Sequence, residues 1–246
     1  MTHNSIDNIY IKENIKALRK RVFDAAAKCG RKAEDIRIIA VSKTIDIERI
    51  RVAVDEGIPD LGENRVQELT EKYDIIDRAC NWHLIGHLQT NKVKYIIDKV
   101  SMIHSVDRIE LAEEIQKHAQ KAGRIIDVLV QVNVAGEETK FGISPDKAME
   151  FVRLLAGFSN LKVKGLMTIA PLVNNQEEVR GVFRKLRKIF IDINEENIDN
   201  ISMECLSMGM SNDFEVAIEE GANIIRVGTA IFGKRHYIEY DKHLTF

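Results

Sequence analysis

Lys43 is the residue whose type and position most directly suggest covalent chemistry in this sequence. It follows the apolar run 39–41 and shares the strand parity of Ile39 and Val41. A lysine at the mouth of a dry protein interior loses hydration, which favours the neutral amine that condenses with an aldehyde. The alternative is a lysine that flanks a strand and extends its ammonium into water. Lys43 is therefore a candidate Schiff-base lysine.

A second group of residues has the chemistry of a phosphate site. Gly228 and Thr229 follow a short apolar run, and glycine allows backbone N–H groups to approach an anion closely. The hydroxyls of Ser207 and Thr229 offer further donors. The alternative is that the glycines only form tight turns.

Arg226 lies inside the apolar run 224–227, where a buried charge is costly without an acceptor. It either pairs with a core carboxylate or faces a ligand between Lys43 and the phosphate loop. The histidines near strand ends, His83, His87 and His104, lack metal-site spacing such as HExxH. We expect them to be hydrogen-bonded structural residues.

The elements that must position these residues alternate between short apolar strands and amphipathic helices. Strands are predicted at 36–41, 60–62, 82–86, 102–104, 126–134, 163–169, 202–206 and 224–227, with helices at 46–56, 66–76, 91–99, 108–121, 145–157, 177–193 and 214–220. An opening helix over about 6–29 is available to cover the remaining gap.

This alternation implies parallel strands. Eight units in a chain of this length predict a single α/β domain, a (β/α)8 TIM-type barrel over about 36–233 with the extra N-terminal helix. At the carboxyl ends of its strands such a barrel carries the functional residues. An open doubly wound sheet is the alternative, but no GxGxxG or GxxxxGK[ST] loop follows any predicted strand.

Composition predicts one soluble domain over residues 1–246. Lys and Arg number 36 against 38 Asp and Glu, so no basic surplus suggests a nucleic-acid binder. No apolar run approaches the roughly 20 residues needed to cross a bilayer, and the charged N-terminus lacks the apolar core of a secretory signal. Three cysteines without a CxxC pair are typical of free thiols in a reducing cytoplasm. A cytoplasmic monomer is expected.

Five segments occur in order along the chain: 40–44 (AVSKT), 62–68 (GENRVQE), 82–92 (WHLIGHLQTNK), 206–211 (LSMGMS) and 226–233 (RVGTAIFG). Together they resemble the pyridoxal phosphate homeostasis protein family, the YggS/PROSC group, and the resemblance extends from the opening helix to Gly233. It implies a single barrel related to the barrel domain of alanine racemase. It also implies that the protein binds pyridoxal 5'-phosphate (PLP) as a lysine Schiff base, without established catalysis.

The resemblance implies a role for each matching residue. Lys43 corresponds to the Schiff-base lysine, and Arg226 to the partner of the pyridine nitrogen. Ser207 corresponds to part of the phosphate cradle, together with the backbone of Gly228 and Thr229. Three further residues correspond to positions in the pocket wall: Asn64, His83 and Met167.

The function expected from this resemblance is a non-catalytic, cytoplasmic carrier that holds PLP and releases it to apo PLP-dependent enzymes. The main alternative is an amino-acid racemase of the alanine racemase type. Racemisation needs a second acid/base opposite the lysine, and no tyrosine lies at a predicted strand mouth. The tail 230–246 is also too short for a second domain. A Schiff-base aldolase acting on a sugar phosphate is less favoured, and it would be colourless where a PLP protein is yellow.

Overall fold

Eight parallel strands close into a barrel within the residues that the structure, a computed structural model, describes: 3–76, 79–173 and 175–233. Each strand pairs with the next along the chain, and β8 pairs with β1. The strands are β1 Arg37–Val41, β2 Asp60–Glu63, β3 Asn81–Leu84, β4 Val100–Val106, β5 Ile126–Gln131, β6 Leu161–Met167, β7 Ile201–Ser207 and β8 Ile224–Val227. The predicted (β/α)8 barrel is confirmed, and the open sheet is excluded.

Helices cover the outside of the barrel. They are α1 His3–Lys28, α2 Ile47–Asp55, α3 Val66–Ile75, α4 Ile109–Lys121, α5 Ala148–Leu155, α6 Arg180–Glu195, α7 Phe214–Glu219 and α8 Thr229–Phe232. The helix predicted over 91–99 is instead a 3-10 segment, Thr90–Tyr95. Val93 within this segment, and Ile96 and Ile97 just after it, are buried all the same, so the apolar pattern that predicted a helix is satisfied by a shorter element and the turn that follows it.

The opening helix α1 takes the place of a full helix after β8, because α8 spans only four residues. Its buried residues Ile11, Ile15, Leu18 and Val22 recur at helical spacing along one side. This side packs against α2, α7 and α8. The predicted covering role of the opening helix is therefore confirmed.

Alternate residues of each strand point into the barrel, and they form the side-chain layer below its mouth, the end at which the strands finish. Ile39 belongs to a small interior cluster, whereas Ala40 belongs to the larger core between strands and helices. The interior cluster also contains Met102, Leu129, Met167 and Ile224. A side chain two residues beyond this layer on the same strand therefore points to the mouth.

Membrane-spanning helices are absent from the part of the chain that the structure describes, since no helix there is long and apolar enough.

Candidate functional site

A cavity of about 390 Å³ opens at the carboxyl ends of β1, β6 and β8. Lys43 and Val41 line it from the β1 side, and Gly228 and Thr229 line it from the β8 side. Arg226 lies between them. The volume lies within the range of about 300–1,000 Å³ that ligand pockets span. The fold thus brings together four of the predicted site residues.

Arg226 is a buried cation whose contacts within the protein are neutral. Its Nη1 donates to Ser207 Oγ at 2.6 Å, and its Nη2 donates to the carbonyl of Thr168 at 2.8 Å. Burial lowers the pKa of Arg226 to about 10, while the carboxylate of Asp213 favours its charge electrostatically. No salt bridge joins Arg226 to a carboxylate among the described residues. A salt bridge to a core carboxylate, one of the two alternatives that the sequence leaves open for Arg226, is therefore not found among the described residues.

A chain of hydrogen bonds runs from Arg226 through the barrel interior. Ser207 Oγ lies 3.1 Å from His104 Nδ1, and His104 Nε2 lies 3.1 Å from His83 Nδ1. His83 Nε2 in turn lies 3.0 Å from the carboxylate of Asp60 at the start of β2. This series of hydrogen bonds therefore links a cation at the mouth to an anion at the opposite end of the barrel.

Burial governs the protonation of His104. It lowers the pKa of this imidazole well below its usual range, with further contributions from His83 and Arg226, so the ring is neutral. One ring nitrogen of a neutral imidazole donates and the other accepts, so His104 donates in one of its two contacts and accepts in the other. Burial opposes the charge of Asp60, but the hydrogen bonds from His83 and Asn81, together with the electrostatic effect of His83 and Arg37, outweigh it and lower the pKa of that carboxyl.

Two residues predicted to contact the ligand lie deeper in the structure. Ser207 is fully buried and bonded to Arg226 and His104, and it does not line the cavity. Met167 is fully buried in the interior cluster, and Ile169, two residues further along the chain, lines the cavity. Contact of Ser207 and Met167 with a ligand stays a prediction.

His83 and Asn64, the other two predicted wall residues, do not line this cavity either. His83 belongs to the interior hydrogen-bond chain. Asn64 lines a neighbouring cavity of about 540 Å³, which also includes Arg65, His87 and Lys92. Gly86 allows β3 to pass close to Asn64, because a Cβ at Gly86 would lie 2.5 Å from the Asn64 carbonyl oxygen.

Ser211 is a cavity residue that the sequence analysis did not assign. Its Oγ accepts from the backbone N–H groups of Gly228 and Ala230, each at 3.3 Å. These contacts are long, and they bring a hydroxyl and two backbone donors to one side of the cavity. The signal that could have identified it is its place in segment 206–211, four residues after Ser207 and hence beyond the strand end.

Residues 6–236 match the family model described as alanine racemase, N-terminal domain. The barrel with its lysine at the mouth of β1 thus belongs to the class that forms this domain. The chain is also 47% identical over 226 residues to the pyridoxal phosphate homeostasis protein of Aquifex aeolicus, a match that covers 92% of this chain and 98% of the relative. The chain belongs to the pyridoxal phosphate homeostasis protein family, as its motifs predicted.

Solved structures share this architecture. The structure of PipY from Synechococcus elongatus with PLP bound has a TM-score of 0.79 and 32% identity, and the match covers 91% of this chain and all of that one. An alanine racemase of Clostridium difficile has a TM-score of 0.70 at 17% identity. The match covers 94% of this chain and 58% of the racemase, and it shows a common barrel fold.

Proposed function

We propose that this protein binds PLP in the 390 Å³ cavity, covalently through Lys43, and acts in PLP homeostasis. The observation that carries the proposal is the convergence of Lys43, Arg226 and the turn at Gly228 on one cavity. The relative from Aquifex aeolicus, named for pyridoxal phosphate homeostasis, and PipY, solved with PLP bound, support it.

The residues of the cavity fit the chemical groups of PLP. Ser211 Oγ accepts from the backbone N–H groups of Gly228 and Ala230, which leaves its own O–H as a phosphate donor on the β8 side, beside Gly228 and Thr229. Arg226 presents a buried positive charge with no ion-pair partner in the described chain, which suits a ring nitrogen as acceptor. The apolar side chains of Ile169 and Met210 line the cavity and offer a surface on which a planar ring can pack. Ser211 is thus part of the proposed phosphate cradle.

PLP supplies an aldehyde that condenses with a primary amine and releases one water. Lys43 would offer that amine from the turn that follows β1. Arg226, held by Ser207 and Thr168, would present a charged donor to the ring nitrogen and so disfavour protonation of that nitrogen. An unprotonated ring would be a weaker electron sink, which would restrict the reactions that the ligand supports without excluding catalysis.

We propose further that the protein is a carrier and not an enzyme. Racemisation needs a second acid/base opposite the lysine, and the described lining of the cavity includes no tyrosine, histidine or cysteine. Lys140 lines the cavity, but its Nζ donates to Glu137 at 2.6 Å and to the Ala170 carbonyl at 3.2 Å. Asp213 accepts from the Met210 N–H at 2.5 Å. The main rival therefore lacks an evident second group among these residues.

The proposed carrier role also specifies the recipients of PLP and the cellular compartment. Apo PLP-dependent enzymes are the proposed recipients, and the protein is proposed to act as a single-domain monomer in the cytoplasm. The free thiols of Cys29, Cys80 and Cys205 support a reducing compartment.

The experiment that tests the carrier role compares two activities of the PLP-loaded protein. We expect it to activate an apo PLP-dependent enzyme and to leave the configuration of L-alanine and other amino acids unchanged. The loaded Lys43→Ala variant, with PLP held only noncovalently, is the control. Lys43-dependent racemisation would establish the rival function, and failure to activate any apo-enzyme would refute the carrier role.

A further inference from the structure

A buried ionic cluster lies behind Lys43, on the helix side of β1. Lys72 of α3 donates from its Nζ to Glu63 Oε1 at 2.8 Å and to Glu68 Oε1 at 2.7 Å. The Glu63 side chain is fully buried, and the Lys72 side chain is 9% exposed. Glu63 and Glu68 both lie in the motif segment 62–68, and neither lines the proposed PLP cavity.

The cluster holds the chain on both sides of Lys43. Before it, Ser42 Oγ donates to Glu63 Oε1 at 2.7 Å, and the Ser42 carbonyl accepts from Lys72 Nζ at 2.6 Å. After it, the backbone N–H of Thr44 donates to Glu68 Oε1. Ser42 is thereby bonded on the helix side of the barrel wall, and Lys43, the next residue, lines the cavity at the mouth.

Thr44 has an unfavourable backbone conformation. Its φ of +62° lies in the left-handed region, which a β-branched residue rarely adopts. Such a conformation costs free energy and persists only where surrounding contacts fix it. The hydrogen bond from Thr44 to Glu68 is such a contact, so the turn after Lys43 depends on the cluster.

The cluster is costly as a purely structural device. Two carboxylates share one ammonium, and Glu63 Oε2 has no hydrogen-bond partner. Burial raises the pKa of Glu63, although Lys72 and Ser42 oppose the shift. Well-packed apolar residues often stabilise a core as well as a buried ion pair does. What apolar residues cannot supply is the set of hydrogen bonds to Ser42 and Thr44.

We propose that Glu63, Glu68 and Lys72 are positioning residues for Lys43: they fix the backbone of residues 42–44 so that the amine meets the ligand aldehyde. This inference rests on the proposed function. Displacing a reacting group by about 1 Å can cost on the order of a hundredfold in rate. The cluster should therefore determine the rate of covalent attachment and leave noncovalent binding of the ligand unaffected.

Stopped-flow absorbance of covalent attachment, after mixing apo-protein with PLP, tests this role. The variants are Glu68→Ala, which removes the contact to Thr44, and Thr44→Gly, which adopts positive φ without strain. Glu71→Ala, an exposed change on the same helix α3, is the matched control. Binding of pyridoxine 5'-phosphate, an alcohol that cannot attach to Lys43, measures noncovalent affinity in each variant.

We expect attachment to slow at least about tenfold in Glu68→Ala and to keep the wild-type rate in Thr44→Gly and Glu71→Ala, because glycine adopts the turn and its backbone N–H still reaches Glu68. Affinity for the alcohol should be unchanged in all of them. Thermal unfolding verifies that each variant folds, and Glu68→Asp, whose shorter side chain withdraws the carboxylate from the Thr44 N–H, decides if Glu68→Ala does not fold. A wild-type attachment rate in the folded Glu68 variant, or a loss that follows the alcohol affinity, would overturn the positioning role. If the wild type itself attaches no PLP, the proposed function fails instead.

Discussion

Neutral His104 inside the barrel predicts a specific loss of stability in acid. The imidazole is fully buried beside His83 and the Arg226–Ser207 pair, and its pKa lies well below 6.5. In the unfolded chain the same side chain takes up a proton below about pH 6.5. The unfolded state therefore binds more protons than the folded state as the pH falls, and stability falls with it.

The size of this loss in stability follows from the one proton that His104 takes up in the unfolded chain. Each pH unit below the unfolded pKa costs about 1.4 kcal/mol while the folded imidazole stays neutral. Between pH 6.5 and pH 5 the loss from His104 is about 2 kcal/mol. This is a substantial part of the roughly 5–15 kcal/mol that holds a typical domain folded. The stability linked to neutral His104 is fully present above pH 6.5, and it is lost as the pH falls towards the pKa of His104 in the folded protein.

Urea unfolding at a series of pH values measures this loss. Wild type is compared with His104→Asn, which removes the titrating group, and with His118→Asn on the outer helix α4 as control. Carboxyls with raised pKa, including Glu63 and Asp213, contribute in the opposite direction in all three proteins. The slope below pH 6.5 should flatten only in His104→Asn. Equal slopes in wild type and His104→Asn would refute the neutral, buried assignment.

Three further predictions concern the cavity and its frame. Ser211→Ala removes a hydroxyl beside the Gly228 and Ala230 N–H groups, and titration should show PLP affinity about tenfold weaker, with the surface variant Ser159→Ala unchanged. Arg226→Met removes the buried charge proposed to face the ring nitrogen, and the same titration should show a loss of about tenfold to a hundredfold in the folded variant; unchanged affinity would remove Arg226 from the site. Gly86→Ala places a Cβ 2.5 Å from the Asn64 carbonyl oxygen and should destabilise the fold by about 1–3 kcal/mol in urea unfolding. Gly181→Ala in α6, where an added Cβ meets nothing within 4 Å, should instead stabilise it by about 0.5–1 kcal/mol; equal effects would contradict the steric argument.

The barrel and the direction of Lys43 were predictable because both follow from local patterns. Strand–helix alternation determines a parallel closed sheet, and the parity of Ile39, Val41 and Lys43 determines which side chains face inward. The structure confirms the barrel and places Lys43 at the cavity. Four of the eight residues named as site residues converge there: Lys43, Arg226, Gly228 and Thr229.

The depth of a residue in the barrel was not predictable in the same way. Met167 and Ser207 have inward parity, but each lies in a layer beneath the cavity. Which layer reaches the mouth depends on where neighbouring strands end and on their register, and both are set by tertiary contacts. For the same reason, the contact between His83 and His104 depends on the register of β3 against β4 and not on either local pattern.

Borohydride reduction of the PLP-loaded protein, followed by peptide mass mapping, tests the central claim most directly. Two described lysines line the cavity, Lys43 and Lys140, and reduction fixes the ligand on the lysine to which it is bonded. We predict a stoichiometric phosphopyridoxyl group on the Lys43 peptide, lost in Lys43→Ala and retained in Lys140→Ala. A label on Lys140, a label spread over surface lysines, or no label would contradict the assignment of this cavity and this lysine.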